Sequence, residues 1–498
     1  MRLLATTALA TLAAACSPAA MDTAPRQAVI GPDGCASMQG GELGASASWV
    51  EAANGLPAFC EVSATLQPAS SSNIGVVYRF PADWNGKLLG LGGGGWAGNV
   101  TLMAASEGLQ KGYATLQTDG GHEGTSVWDN SWSANPEALT DFSWRAVHEM
   151  TVAGKRLAAD YYGREHERAY FQGCSTGGRM ALMEAQRFPQ DYDAIIAGAP
   201  VYTLQVQTSA VLRNNTFAAG NGAGGFSAAD LQLAKDAALR ACDANDGATD
   251  GIIADPRSCT WQPRALQCTG AKTASCLAPA QVTALQSVFE GTRAPDGSWA
   301  MFPMSRGGET GWSLFVGTAG TGEDATGGGG LGGLYPVILG KTFNAAGFTA
   351  EQDYLAVRRS DFAQEYEAKE PDLSAFFERG GKLLMWHGEN DPGPSPVGST
   401  DYVREVSAAN PEAERQFAYY LLPGVEHCRG GPGADVVDTI NALDRWVETG
   451  DAPERLIGTK TDKSLTRPHC AWPNVARHGG SGDVNDPSTW QCVPRQQS

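Results

Sequence analysis

Phe171-Gln172-Gly173-Cys174-Ser175-Thr176-Gly177-Gly178-Arg179 restricts the folds open to this chain more than any other segment. It carries G-x-S-x-G between a β-rich run at 169–172 and a helical pattern at 178–188. Glycines on both sides of a serine let a strand turn sharply into a helix. The serine is then held out at the end of its strand, facing the helix N-terminus, where the unpaired amides carry partial positive charge. Such a junction requires a sheet with helices packed beside it.

The rest of the chain has that rhythm. Short β-rich runs occur at 87–92, 113–119, 194–199, 382–388 and 419–422, and unbroken apolar runs of this length suit strands buried on both faces of a parallel sheet. Between 141 and 162 the spacing of Phe142, Val147, Met150, Val152, Leu157 and Ala158 predicts a helix. From 202 to 373 the alternation fails, and glycine, short helical patterns and cysteines take over, with a low-complexity run at 317–333. A structureless loop of that length is foreign to a compact core, so the segment reads as an insertion. The pattern resembles the α/β-hydrolase fold with a large inserted lid domain. The expected division is a signal peptide at 1–15, the first part of the core at 16–201, the lid at 202–373 and the second part of the core at 374–498.

A serine hydroxyl becomes a nucleophile only when an imidazole takes its proton, and the imidazole needs a carboxylate to fix its tautomer. In an α/β-hydrolase arrangement these partners follow the serine in the order acid, then histidine, on loops after strands. Asp391 follows the run at 382–388, and His427 follows the run at 419–422. Glu389 competes with Asp391 for the acid. His387 is too close to the acid loop to be the base; it lines the pocket, supports the loop, or is a buried hydrogen-bonded histidine. The expected oxyanion donors are the backbone amide of Thr176 and one from Gly94 or Gly95, within the glycine run before Trp96.

The net charge of -18 and the absence of a basic patch exclude nucleic acid as a partner. Met1-Arg2, an apolar run through Ala15 and then Cys16 form an export signal. Its end resembles a bacterial lipobox with Ala13 in the usual leucine place, which predicts lipidation of Cys16; ordinary cleavage is the alternative. No later run reaches the ~18 apolar residues of a membrane span. The expected location is therefore periplasmic, anchored to the outer membrane by lipid, or secreted. Ten further cysteines suit an oxidising compartment: Cys35, Cys60, Cys174, Cys242, Cys259, Cys268, Cys276, Cys428, Cys470 and Cys492. Nearest-neighbour pairing suits eight of them and leaves Cys174 and Cys428, but sequence does not fix connectivity.

The loop from Cys242 through Asp243, Asp246 and Asp250 to Ile252 carries hard oxygen donors on a turn-rich segment, which suits Ca2+. It is not an EF-hand, because the twelfth position from Asp243 is Ala254.

These motifs, Gly173 to Arg179, His387-Gly-x-x-Asp391, His427-Cys428 and the Asp243 to Ile252 loop flanked by Cys242 and Cys259, together resemble the tannase and feruloyl esterase family. That family also includes the bacterial hydrolase of mono(2-hydroxyethyl) terephthalate. The resemblance implies a disulfide between Cys174 and Cys428. It also implies structural Ca2+ held by the side chains of Asp243, Asp246 and Asp250 and the carbonyls of Ala248 and Ile252. The activity it implies is hydrolysis of small aromatic or phenolic esters through an acyl-serine, with no organic cofactor. A lipase- or peptidase-type hydrolase and a non-enzymatic envelope-bound binding protein are the alternatives.

Overall fold

In the computed structural model, residues 29–41, 43–314 and 329–495 are described. The expected signal at 1–15 and Cys16 lie outside them. The centre of the molecule is one sheet of nine strands: β1 (Ser46–Val50), β2 (Phe59–Leu66), β3 (Ile74–Pro81), β4 (Lys87–Leu91), β5 (Ala114–Thr118), β6 (Arg168–Cys174), β7 (Ala194–Gly198), β8 (Lys382–Gly388) and β9 (Phe417–Leu422). Their order is β1-β2-β3-β5-β4-β6-β7-β8-β9. The pairs β1/β2, β2/β3 and β3/β5 are antiparallel, and the remaining five are parallel.

Every residue of β5 and β7 is buried, as expected of strands covered on both faces. In β2, by contrast, buried Val62 and Leu66 are separated by exposed Ser63 and Thr65. The helix predicted from 141 begins earlier, at Pro136–Thr140 with Asn135 as its cap, passes through a π turn at Asp141–Arg145 and continues as α1 (Ala146–Tyr162). It stops at Gly163, whose left-handed φ of 65° ends the helix without a Cβ penalty. Helix α2 (Thr176–Arg187) follows β6 directly and buries its first ten residues against β6 and β7.

Strand β8 enters the sheet next to β7, so the 183 positions between Gly198 and Lys382 leave the sheet and return to its next place. Their first half holds α3 (Gln205–Gly222), α4 (Ala228–Cys242) and α5 (Pro279–Glu290). It builds its own apolar core around Phe217, Leu231, Leu285, Phe289 and Trp312. Further on, Leu331, Tyr335, Phe348, Tyr354 and Tyr366 pack into the main core beneath the sheet. The excursion is thus a helical unit followed by a strap along the core. Five disulfides join Cys35 to Cys60, Cys174 to Cys428, Cys242 to Cys259, Cys268 to Cys276 and Cys470 to Cys492.

Candidate active site

Ser175 stands between β6 and α2 at φ 63° and ψ -123°, a conformation that non-glycine residues rarely adopt. Its amide donates to the Gly198 carbonyl at 3.0 Å, which fastens the turn to the next strand. The flanking glycines are required by close approach. A Cβ on Gly173 would lie 2.3 Å from the Gly177 carbonyl, and one on Gly177 would lie 2.9 Å from the Gly93 oxygen. The glycine run after β4 is therefore packed onto the serine turn.

The Ser175 hydroxyl donates to His427 Nε2 at 2.9 Å, and His427 Nδ1 donates to Asp391 Oδ2 at 2.7 Å. Loops after β6, β8 and β9, strands that lie within four consecutive places of the parallel part of the sheet, bring the three together. Asp391 is buried, and its other oxygen accepts from the Gly393 amide at 2.8 Å. Burial pushes its carboxyl up, but the facing His427 charge and hydrogen bonds from His387 and His427 outweigh that and hold it at about 2. It stays ionised.

Glu389, the competing acid, is turned elsewhere. Its carboxylate pairs with Arg495 at 2.7 Å and lies 3.7 Å from Arg257. His387 is fully buried and does not line the cavity in front of Ser175. Of the roles open to it, the pocket-lining one is corrected: its Nδ1 faces Ser399 Oγ at 2.8 Å, and its Nε2 reaches Pro394 O and Asp391 Oδ2, both at 3.2 Å. The residue follows Trp386 on a strand covered on both sides, so its side chain points into protein behind the acid loop. His122, His148 and His469 are engaged with Trp96 O, Asp191 and Ala434 O.

Ser175 and His427 open onto a cavity of about 320 Å³. It is lined by Gly94, Gly95, Trp96, Val127 and Trp128 and by Val206, Gln207, Ala210 and Arg213 of α3. Thr176 opens α2, so its amide is one of the four that a helix N-terminus leaves without an intrahelical partner. Arg213 donates to Pro392 O at 2.8 Å and Gly393 O at 3.4 Å, tying α3 to the Asp391 loop. Trp96 Nε1 donates to Gly329 O at 2.8 Å. Sequence reasoning missed the α3 face and the Val127-Trp128 pair. A buried helix in an insertion has no local mark showing that it faces a site on the core.

A match to the family model described as tannase and feruloyl esterase spans residues 60–304 and 340–493. The chain belongs to the tannase and feruloyl esterase family. A mono(2-hydroxyethyl) terephthalate hydrolase from Piscinibacter sakaiensis is 34% identical over 88% of this chain and 85% of its own length. A probable feruloyl esterase B from Aspergillus niger is 32% identical over 87% of each chain. The crystal structure of feruloyl esterase B from Aspergillus oryzae is similar at a TM-score of 0.83 and 28% identity, covering 93% of this chain and all of that one. The chain is thus a carboxylic ester hydrolase with an α/β-hydrolase fold.

In the acidic loop, Asp243 accepts from the amides of Asp250 and Gly251, Asp246 from Ala248, and Asp250 from Ile252. Arg467 pairs with Asp250 at 2.5 Å. Among the described residues, no three His, Cys, Asp or Glu side chains converge as a metal-holding cluster. The donor chemistry nevertheless fits a hard cation, since every group offered is oxygen. Burial first, then the charges of Asp250 and Asp243, push the Asp246 carboxyl up to about 7.

Proposed function

We propose that this protein hydrolyses esters of aromatic carboxylic acids through an acyl-serine at Ser175. The observation that carries the reading is the chain of hydrogen bonds from Ser175 through His427 to Asp391 at the floor of a largely apolar cavity with two tryptophans in its lining. His427 Nε2 takes the proton as Ser175 Oγ attacks the ester carbonyl. The tetrahedral oxyanion is met by the backbone amides of Thr176 and of Gly94 or Gly95. Collapse expels the alcohol, which leaves with the proton from His427. A water then gives its proton to His427, attacks the acyl carbon and releases the acid with Ser175 restored. Throughout, Asp391 keeps the His427 tautomer and stabilises its charged form.

Aromatic acyl groups are favoured because a flat ring fits between tryptophan faces and aliphatic side chains. Kinetics on methyl gallate, methyl ferulate, chlorogenate, a terephthalate monoester and a short p-nitrophenyl ester test this. Cleavage of the p-nitrophenyl ester alone would reject it.

Residues 202–373 act as the lid over this cavity in the same reading. Ca2+ is held by Asp243, Asp246 and Asp250 with the carbonyls of Ala248 and Ile252, and braces the lid. The chain is exported, with 1–15 as its signal and Cys16 lipidated; five disulfides support the oxidising destination. Mass spectrometry of the mature N-terminus tests the lipid.

A further inference from the structure

Two side chains outside the cavity converge on one backbone atom of its glycine-rich turn. The Trp96 carbonyl accepts from His122 Nε2 at 2.8 Å and from Trp132 Nε1 at 3.2 Å, which occupies both of its lone pairs. His122 is buried, and burial lowers its pKa, so the ring is neutral with a single N–H; a carbonyl only accepts, which places that proton on Nε2. The two donors come from separate segments, the loop after β5 and the turn Ser131–Ala134, and their rings stack with centroids 4.2 Å apart. The His122 loop is fastened in its turn, since Asp119 Oδ1 accepts from the amides of Gly75 at 2.9 Å and Gly121 at 2.8 Å.

The Trp96 carbonyl is linked through two planar peptides to the glycine run beside Ser175. The Ala97 amide, which shares the trans peptide of that carbonyl, donates to Gly94 O at 3.2 Å. Gly94 O shares its own trans peptide with the Gly95 N–H, which therefore points the opposite way. On either side the run is tied down, Gly92 N to Gln172 O and Trp96 N to Val127 O, each at 2.9 Å. Gly94 and Gly95 line the cavity together with Ser175 and Thr176, and among the described residues neither of their amides has a backbone partner.

We propose that His122 and Trp132 are positioning residues of the oxyanion hole, holding the Trp96 carbonyl so that the Gly95 amide stays aimed at the oxyanion formed at Ser175. This role rests on the acyl-serine reading and deepens it. An oxyanion donor is effective because it is already oriented when charge develops, so a glycine run needs an outside constraint to serve as one. Neither His122 nor Trp132 lines the cavity, so neither meets the substrate. Without them Trp96 is still held by Val127 O at its amide and by Gly329 O at its indole, and the turn keeps its place while losing its fixed direction.

The test pairs hydrolysis of a short p-nitrophenyl ester with inhibition by an aryl trifluoromethyl ketone. The ketone carbon takes Ser175 Oγ, its π pair moves to oxygen and the serine proton passes to His427, so the adduct carries an oxyanion. The matching aryl methyl ketone, which does not add, reports ground-state binding. In His122→Phe and in Trp132→Phe, kcat should fall by about tenfold with KM changed less, and the trifluoromethyl ketone should bind weaker by about the same factor while the methyl ketone does not. The double variant should approach the loss of about a hundredfold that follows removal of one oxyanion donor. His122→Gln, which can place an N–H near the former Nε2, should recover part of both losses. Trp132→Phe acts on the same carbonyl from another segment, so a folding defect at His122 does not decide the matter. A fall in kcat without the matching loss of trifluoromethyl ketone affinity, an effect on KM alone, or wild-type kcat in the double variant overturns the positioning role. If the wild type binds the trifluoromethyl ketone no more tightly than the methyl ketone, the acyl-serine reading falls and this role falls with it.

Discussion

His387 Nε2 lies 3.2 Å from Asp391 Oδ2, the same oxygen that accepts the hydrogen bond from His427 Nδ1 at 2.7 Å. Two histidines therefore meet one buried carboxylate. With its Nδ1 facing Ser399 Oγ and its Nε2 facing Pro394 O and Asp391, His387 is suited to donate a hydrogen bond to the acid. It positions the acid and does not touch the substrate.

The first prediction follows from that arrangement. His387→Leu should lower kcat by about tenfold, the effect of losing one hydrogen bond to a charged group, with KM changed less. Hydrogen bonding by His387 helps to hold the Asp391 carboxyl at about 2, below its ordinary 3.8. A carboxyl lowered in this way contributes stability that is complete above 3.8 and is lost as pH falls toward 2. Removing the donor raises the carboxyl, so acid unfolding of His387→Leu should begin at higher pH than in the wild type. His387→Gln, which can place a donor near the former Nε2, should recover part of both losses. A kcat and an acid limb unchanged in His387→Leu would refute the positioning role.

Ser175→Ala and His427→Ala should each cost at least a thousandfold in kcat, and Asp391→Asn about as much, because the three act as one unit. Glu389→Gln separates the two candidate acids. It leaves Arg495 and Arg257 facing a neutral group, so it should cost on the order of 3 kcal/mol in stability while retaining most turnover. Thermal melting together with steady-state kinetics on the four variants reads both effects, and a greater catalytic loss in Glu389→Gln than in Asp391→Asn would reverse the assignment.

The acidic loop from Asp243 to Ile252, proposed to hold Ca2+, gives a stability prediction. A ligand that binds only the folded state stabilises it by about 2.7 kcal/mol at a hundredfold excess over Kd. Removing Ca2+ with a strong chelator should therefore lower the melting midpoint, and adding it back should restore the midpoint in proportion to the logarithm of free Ca2+. Asp246→Ala should abolish that response. Identical melting curves with chelator and with Ca2+ would dismiss the cation.

Legibility in the sequence followed the range of the forces involved. The turn at Ser175 could be read because Gly173 and Gly177 are imposed by contacts a few ångströms away, and Asp391 and His427 because each sits just past a strand with an unbroken apolar run. Strands β1 and β2 escaped notice because their burial is mixed: β1 has no fully buried residue, and β2 alternates only in part. Arg213 was invisible for another reason. Its importance comes from how α3 folds back onto the core, over contacts such as that from Arg213 to Pro392, 179 positions away. The His387 role was open in sequence, and only the direction of its ring on β8 decided it.

The link between Cys174 and Cys428 carries the last prediction. The bond spans 254 positions and joins the residue before Ser175 to the residue after His427, with the two Cα atoms 6.0 Å apart. Ser175 at φ 63° and Cys428 at φ 60° both hold left-handed backbone that a side-chain-bearing residue leaves readily when unconstrained. Closing so long a loop stabilises the folded state by up to about 5 kcal/mol in the chain-entropy account. Four other disulfides and the nine-stranded sheet remain without it, so Cys174→Ala/Cys428→Ala should still fold, with a lower melting midpoint. Turnover should suffer more than stability, because a displacement of about 1 Å between nucleophile and base costs on the order of a hundredfold in rate. Peptide mapping under non-reducing conditions should recover Cys174 and Cys428 in one linked fragment from the wild-type protein. Recovery of both as free thiols would remove the physical basis of the prediction, and wild-type kcat in a folded double variant would show that the sheet alone holds Ser175 and His427 in register.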